Sequence, residues 1–395
     1  MANFVTDSRN GLTISCAPQD QSHLHPTIRA LVMEGDSVIF RGLPHPDIHL
    51  EAPPAGLRIK DCLVYDSYEG ALINVFWHGG QWWFCTNKKL SIDKASWSAS
   101  PGSFKRAFVN CLRKMWRDDR SWADLFDKSY MPSFCDANLD KDLGYVFMVF
   151  DPEERIVCSD TEQSLRLLAT FDRRTNSHSY ECSLTLTCGT EVEVPRPICL
   201  KNERDFLLHL RSQDPCRVAG VVLIDALDIH YKILPSEYIK VLDARGEQPR
   251  LLNRMFQLME MGPEGEAHIE VLCRYFSDAR AAMERAWDVR ERIVQCYLDL
   301  TDPDSEPQVW MTRRLIEIVR GCRPGTERTM IDDFLRTMTT GQRKAFYKKH
   351  ACLAGGDNAW ISSDAPIKQA KTVQDLVEFP DDNCQDMDEL FVVRA

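Results

Sequence analysis

Residues 71–85, ALINVFWHGGQWWFC, are apolar on both faces of an extended chain. Ile73, Val75 and Trp77 alternate onto one side, and Leu72, Asn74 and Phe76 onto the other. A strand with one polar face can lie at the surface, whereas one that is apolar on both has to be covered twice. His78-Gly79-Gly80 interrupts the run where a tight turn is needed. The stretch therefore predicts a hairpin at the centre of a covered sheet.

The flanking sequence extends this pattern. TIRALVMEGDSVIFRGLP predicts a second hairpin turning at Glu34-Gly35-Asp36, and the proline-rich HPDIHLEAPPAG then breaks it. Phe104, Phe108, Leu112 and Met115 recur at helical spacing behind Ser103, a suitable N-cap. YVFMVFDPEERIVC and RLLATFDR read as strands around an acidic turn, and SYECSLTLTCGTEVEVPRPICL as a further strand pair. ERDFLLHLRSQ is a short helix, and RVAGVVLIDALDIHYKILPSEYIKVLD a hairpin running into a helix. Residues 1–250 are thus expected to form an α+β body built on antiparallel sheet.

Near Leu251 the period changes. Ile269, Leu272, Phe276, Ala279, Met283, Ala286, Val289, Ile293 and Leu300 fall on one helical stripe, and two more amphipathic stretches follow. Residues 251–354 are expected to be an all-α domain. Residues 355–395 are polar and acidic with little period, as in a mobile tail.

Composition narrows the class. A net charge of −11 argues against a general polyanion binder but leaves room for a local basic groove. Fifteen scattered cysteines without a C-x-x-C pair fit reduced thiols in the cytoplasm. No apolar run is long enough to span a bilayer, and MANFVTDSRN has no signal core, so no membrane association is expected.

Glu69-Gly70, at the start of the central hairpin, is the first candidate for chemistry, with the cationic turn TNKKL following it. The pairs His23/His25 and His45/His49 have metal-like spacing, but in proline-rich loops without partner cysteines they read as structural. Trp77, Trp82 and Trp83 are suited to base stacking or to sheet core, and for Trp77 core is the better reading.

Taken in order over residues 25–258, these motifs resemble the RNA-ligase-like nucleotidyltransferases: the phage-type ATP-dependent RNA ligases and, closer, the RNA-ligase-like proteins of giant DNA viruses. IRALVMEGDSVIFRGLP is similar to the family's leading element. SYEGALINVFWHGGQWWFCTNKKL resembles the K-x-D-G adenylation motif with its strand pair and turn. YVFMVFDPEERIVC, VAGVVLI and YKILPSEYIKVL resemble the later motifs. The resemblance implies a nucleotidyltransferase (ATP-grasp-like RNA/DNA ligase) fold. It implies a nucleotide site at Ser67, Glu69, Lys88, Lys89, Arg155 and Lys232, with ATP and magnesium as the cofactors of active relatives.

The match is good in the scaffold and poor in the chemistry. The family's nucleophilic lysine aligns with Ser67 and its aspartate with Glu69. Two motif glutamates align with Met148 and Ala219, and a motif lysine with Leu234. Serine forms no phosphoramidate, and methionine and alanine hold no divalent metal. The resemblance thus implies a pseudoenzyme that binds RNA ends or a nucleotide through a basic cleft. Two other readings stay open. One is an active ligase using a displaced lysine, Lys60, Lys88 or Lys89. The other is a structural viral component that contacts viral or host protein.

Overall fold

The structure, a computed structural model, describes residues 4–349 apart from 94, 97–102, 117–128, 153–154, 159–161, 247–250, 303, 306 and 308–311. The expected tail at 355–395 lies outside the described residues, as do Glu153 and Glu154 of the acidic turn. The chain divides into two compact units between Ile239 and Lys240.

In the first unit the elements run β1 (Val5–Arg9), β2 (Leu12–Cys16), β3 (Leu31–Glu34), β4 (Ser37–Arg41), β5 (Asp47–Leu50), β6 (Leu63–Ser67), β7 (Ala71–His78) and β8 (Gln81–Cys85). There follow α1 (Phe104–Met115), α2 (Tyr130–Asn138), β9 (Leu143–Phe150), β10 (Ser164–Asp172), β11 (Ser177–Ser179), α3 (Glu203–Ser212), β12 (Gly220–Ile224), β13 (His230–Leu234) and the start of α4 (Ser236–Arg245). They make a mixed α/β body with three sheets, ordered β1-β2-β3-β4, β11-β10-β9-β7-β8 and β5-β13-β12-β6.

The central hairpin is where the sequence predicts it. β7 pairs with β9 on one side and β8 on the other. Ile73 and Val75 enter one core, with Phe108 and Phe134 from α1 and α2. Leu72 and Phe76 enter the opposite core, with Leu12, Val32 and Phe40 of the first sheet. Gly79 and Gly80 both take positive φ, 57° and 80°, at the two-residue turn. That is the primed turn whose twist matches the strands it joins, and bulkier residues resist it. Ser103 caps α1 as expected, its Oγ accepting from the Arg106 N–H at 3.1 Å.

Three expectations need correction. The proline-broken stretch at 45–56 contains β5, which pairs in parallel with β13 and so departs from an all-antiparallel body. It sits at the sheet edge, where a strand preceded by Pro46 is tolerated. The strand pair expected over 179–200 shrinks to isolated bridges at Thr185–Glu191 and Arg166–Glu193, and Pro195 and Pro197 withhold the N–H donors a ladder needs. Trp82 and Trp83 are buried in the two cores, so only Trp77 keeps a partly open face, and Lys141 Nζ covers it at 3.9 Å from the ring centre.

The second unit is helical wherever it is described. It contains α5 (Leu251–Leu258), α6 (Pro263–Tyr275), α7 (Ala279–Leu298), α8 (Arg313–Gly321), α9 (Glu327–Thr337) and α10 (Thr340–Lys349). The single expected stripe is two helices, because Phe276–Asp278 form a break between α6 and α7. Leu272, Phe276, Ala279, Ala286, Val289, Ile293 and Leu300 are nevertheless buried as the period requires. α7 packs against α5, α6, α8 and α9 and is the unit's axis.

Candidate functional site

Alternation along the third sheet decides which side chains meet the cleft. Val64, Val221, Leu223 and Ile233 turn one way, into a core with Phe206 and Leu210 of α3. Tyr65, Ser67, Val222, Ile224 and His230 turn the other way and line an open cleft. Met148 and Leu168 of the five-stranded sheet face them, and Arg29, Leu43, Pro44 and Pro46 contribute a further part of the lining. Most of the lining is apolar.

Of the six residues singled out in the sequence, Ser67 lines this cleft. Its carbonyl accepts from the Ala219 N–H at 2.7 Å and holds the start of β12 in register. Glu69, Lys232 and Arg155 come together in a cluster of their own rather than on the cleft lining. Glu69 is buried and accepts from the backbone N–H groups of Val157 and Cys158 at 3.0 and 2.9 Å and from Tyr238 Oη at 2.5 Å. Burial raises its carboxyl pKa, while those donors and Lys232 pull against the rise. Lys232 is wholly buried. Burial pulls its ammonium down to about 8, opposed first by Glu69. Arg155 donates to the Val157 carbonyl at 3.0 Å and to Cys216 Sγ at 3.3 Å, and thereby braces the loop that feeds Glu69. Glu69 and Lys232 offset one another's charge, while Arg155 is held by its own loop and Cys216.

Lys88 and Lys89 lie on the turn after β8, their backbone N–H groups held by Thr86 Oγ1 at 3.2 and 3.0 Å. Lys88 stands near His45. Burial first, then the Arg29 guanidinium, pushes the His45 pKa down to about 3, and Lys88 adds to the effect. The sign of the resulting pH dependence is fixed. The unfolded chain takes up a proton near 6.5 that the folded chain refuses until about 3. Stability should therefore be lost as pH falls from 6.5 towards 3, by up to about 1.4 kcal/mol per pH unit from this group. His45→Asn should remove that part of the slope. Urea unfolding at neutral and mildly acidic pH checks it, and identical losses in both proteins would show that His45 is not the cause.

The basic cleft expected from the sequence is thus largely apolar. Among the described residues that line it, the basic side chains are Arg29 and His230. Met148 presents a thioether where the resemblance places a carboxylate. A Cβ on Gly70 would meet the Met148 side chain at 2.6 Å, so the methionine is packed tightly there. No group of three or more His, Cys, Asp or Glu among the described residues could hold a metal ion. These residues do not fit a divalent metal with ATP. His45 Nε2 lies 3.7 Å from Cys16 Sγ, and His49 Nε2 lies 2.9 Å from Asp47.

Sequence reading missed the polar end of the cleft. Tyr180 donates to Asp228 and accepts from His230 Nε2 at 2.6 Å. Behind them His178, with its side chain fully buried, places Nδ1 3.2 Å from Asp228 and Nε2 2.9 Å from the Arg41 carbonyl. Burial alone would raise the Asp228 carboxyl, but the hydrogen bonds from His178, His230 and Tyr180 outweigh it and hold it far below the carboxylate range. The cluster draws on β4, β11 and the β12–β13 hairpin, and so on all three sheets. The only signal for it in the sequence is the i, i+2 spacing of Asp228 and His230.

Fold and cleft define a mixed α/β protein whose mainly antiparallel sheets and helices frame a largely apolar cleft. The chain belongs to the family of the viral immediate-early protein ICP-46. It is 97% identical over 395 residues, the whole of both chains, to that protein from Frog virus 3 (isolate Goorha). It is also 22% identical over 263 residues to the ICP-46 homolog of Invertebrate iridescent virus 6, covering 61% of this chain and 55% of that one. No family model matches it. Among solved structures it is similar to a putative ATP-dependent DNA ligase from Aquifex aeolicus, with a TM-score of 0.34 and 10% identity over 76% of this chain and 77% of that one. It is also similar to a Naegleria gruberi RNA ligase, with a TM-score of 0.28 and 11% identity over 46% and 52%. Among the described residues no helix is long and apolar enough to cross a membrane.

Proposed function

We propose that this protein is an RNA-ligase-like nucleotidyltransferase scaffold that has given up adenylyl transfer. In this reading it acts in the cytoplasm by binding a nucleotide or an RNA end in its cleft. Residues 1–250 supply the binding body and residues 251–354 a separate helical domain. The observation that carries the reading is the place of Ser67. It lines the cleft where the resemblance puts the nucleophilic lysine, while Lys232 is wholly buried beside Glu69. A neutral lysine with access to phosphorus is what the first chemical step needs. Lys232 has the lowered pKa but not the access. Met148 supports the same conclusion, since a thioether is a poor ligand for a hard cation.

Incubation with radiolabelled ATP or GTP and magnesium or manganese, followed by a denaturing gel, should give no covalent band. Ser67→Lys should give none either, because Met148 and Ala219 remain. A labelled band from the natural protein would favour the active-ligase reading with a displaced lysine. Absence of binding by both ATP and a short 5′-phosphorylated RNA would favour a structural viral component.

A further inference from the structure

The cleft carries one polar group that the protein itself does not satisfy. Tyr65 is 7% exposed, and its hydroxyl is buried without a hydrogen-bond partner. It lines the cleft beside Tyr180. The Tyr180 hydroxyl is already committed, donating to Asp228 and accepting from His230. An unpaired buried hydroxyl costs about 1–3 kcal/mol unless a water or a ligand atom pairs with it.

The rest of the lining says what kind of ligand that is. Met148, Leu168 and Val222 offer apolar surface on opposite walls. The cations that would hold phosphate have other partners: Arg29 donates to the Pro44 carbonyl at 3.3 Å, Arg155 holds Val157 and Cys216, and Lys232 is buried near Glu69. We infer that the cleft takes a neutral heterocycle, a nucleobase or nucleoside, with the Tyr65 hydroxyl reading the hydrogen-bonding edge of the ring and phosphate contributing little. This rests on the nucleotide-binding reading above and narrows it. The His178 ring and the Asp228 carboxylate act through Tyr180, whose ring they fix beside Tyr65. They are positioning groups and do not touch the ligand.

Calorimetric titration of the full chain with adenosine, guanosine, cytidine and uridine, and with each 5′-triphosphate, tests this at low and at high salt. At least one nucleoside should bind, its triphosphate should bind less than about tenfold tighter, and salt should change the nucleoside affinity little. Tyr65→Phe should weaken that binding by about fivefold to tenfold. It should also melt no lower than the natural protein, because the hydroxyl it removes has no partner to lose. A triphosphate advantage of tenfold or more, or unchanged affinity in Tyr65→Phe, overturns the inference and leaves the nucleotide-binding reading standing. No binding of any nucleoside or triphosphate overturns the inference, and if a short 5′-phosphorylated RNA also fails to bind, both readings fall.

Discussion

Replacing Glu69 by leucine should cost about 3–5 kcal/mol of stability, because it leaves the Lys232 ammonium buried without its counter-charge. Lys232→Met should cost less, because the Val157 and Cys158 N–H groups and the Tyr238 hydroxyl still hold the Glu69 carboxylate. The double replacement should be far less harmful than the sum of the two, since a buried pair removed together takes its desolvation penalty with it. The Val157 and Cys158 N–H groups and the Tyr238 hydroxyl would still lose their acceptor, so recovery should be partial. Urea unfolding of the two single variants and the double variant, at neutral pH and following the tryptophan signal, measures the coupling. Strictly additive losses would mean that Glu69 and Lys232 do not depend on one another.

An effect of similar size is expected in the helical unit. Arg290 of α7 is buried and donates from Nε to Glu260 at 2.9 Å and from one terminal nitrogen to Asp332 at 2.8 Å. The Glu260 side chain is fully buried, and Tyr347 also donates to it at 3.1 Å. Arg290→Leu should therefore cost about 3–5 kcal/mol, because it strands the Glu260 carboxylate inside the bundle. Arg328→Ala is the fitting control. Its pair with Glu291, at 2.7 Å, is half exposed and should contribute about 0–1 kcal/mol. Thermal melting by circular dichroism separates the two. Equal shifts in melting temperature would show that burial does not set the strength of these pairs.

The scaffold was more legible in the sequence than the cleft, for a physical reason. Period-two and period-three-four patterns report which faces are covered, so β7, α1, α3 and the β12–β13 hairpin stood out. β1 and β2 did not, although Asn10-Gly11 is a strong turn signal, because β1 (VTDSR) is mostly polar and exposed. α2 was hidden by Pro132, which a helix accepts in its first turn. Motif order located Ser67 on the cleft. It did not foresee that the Val157 and Cys158 N–H groups would hold Glu69, because those contacts reach across 88 to 89 residues. Tyr65, Tyr180 and His178 carried no pattern at all. Tyr65 and His178 are ordinary strand residues, and Tyr180 directly follows a strand, until three sheets meet.

That meeting also orders events in time. β1 to β4 form a local meander, which a growing chain can complete as soon as Arg41 has emerged. His178 must then find the Arg41 carbonyl across 137 residues and wait for Asp228, another 50 further on. Closing loops of that length is slow, and it cannot begin before the partners exist. Until β13 is made, Met148 and Leu168 lack the wall that faces them, so the nascent chain carries an uncovered apolar surface. The junction at His178 is therefore a late checkpoint in synthesis, and a chain truncated before Leu234 should be prone to aggregate.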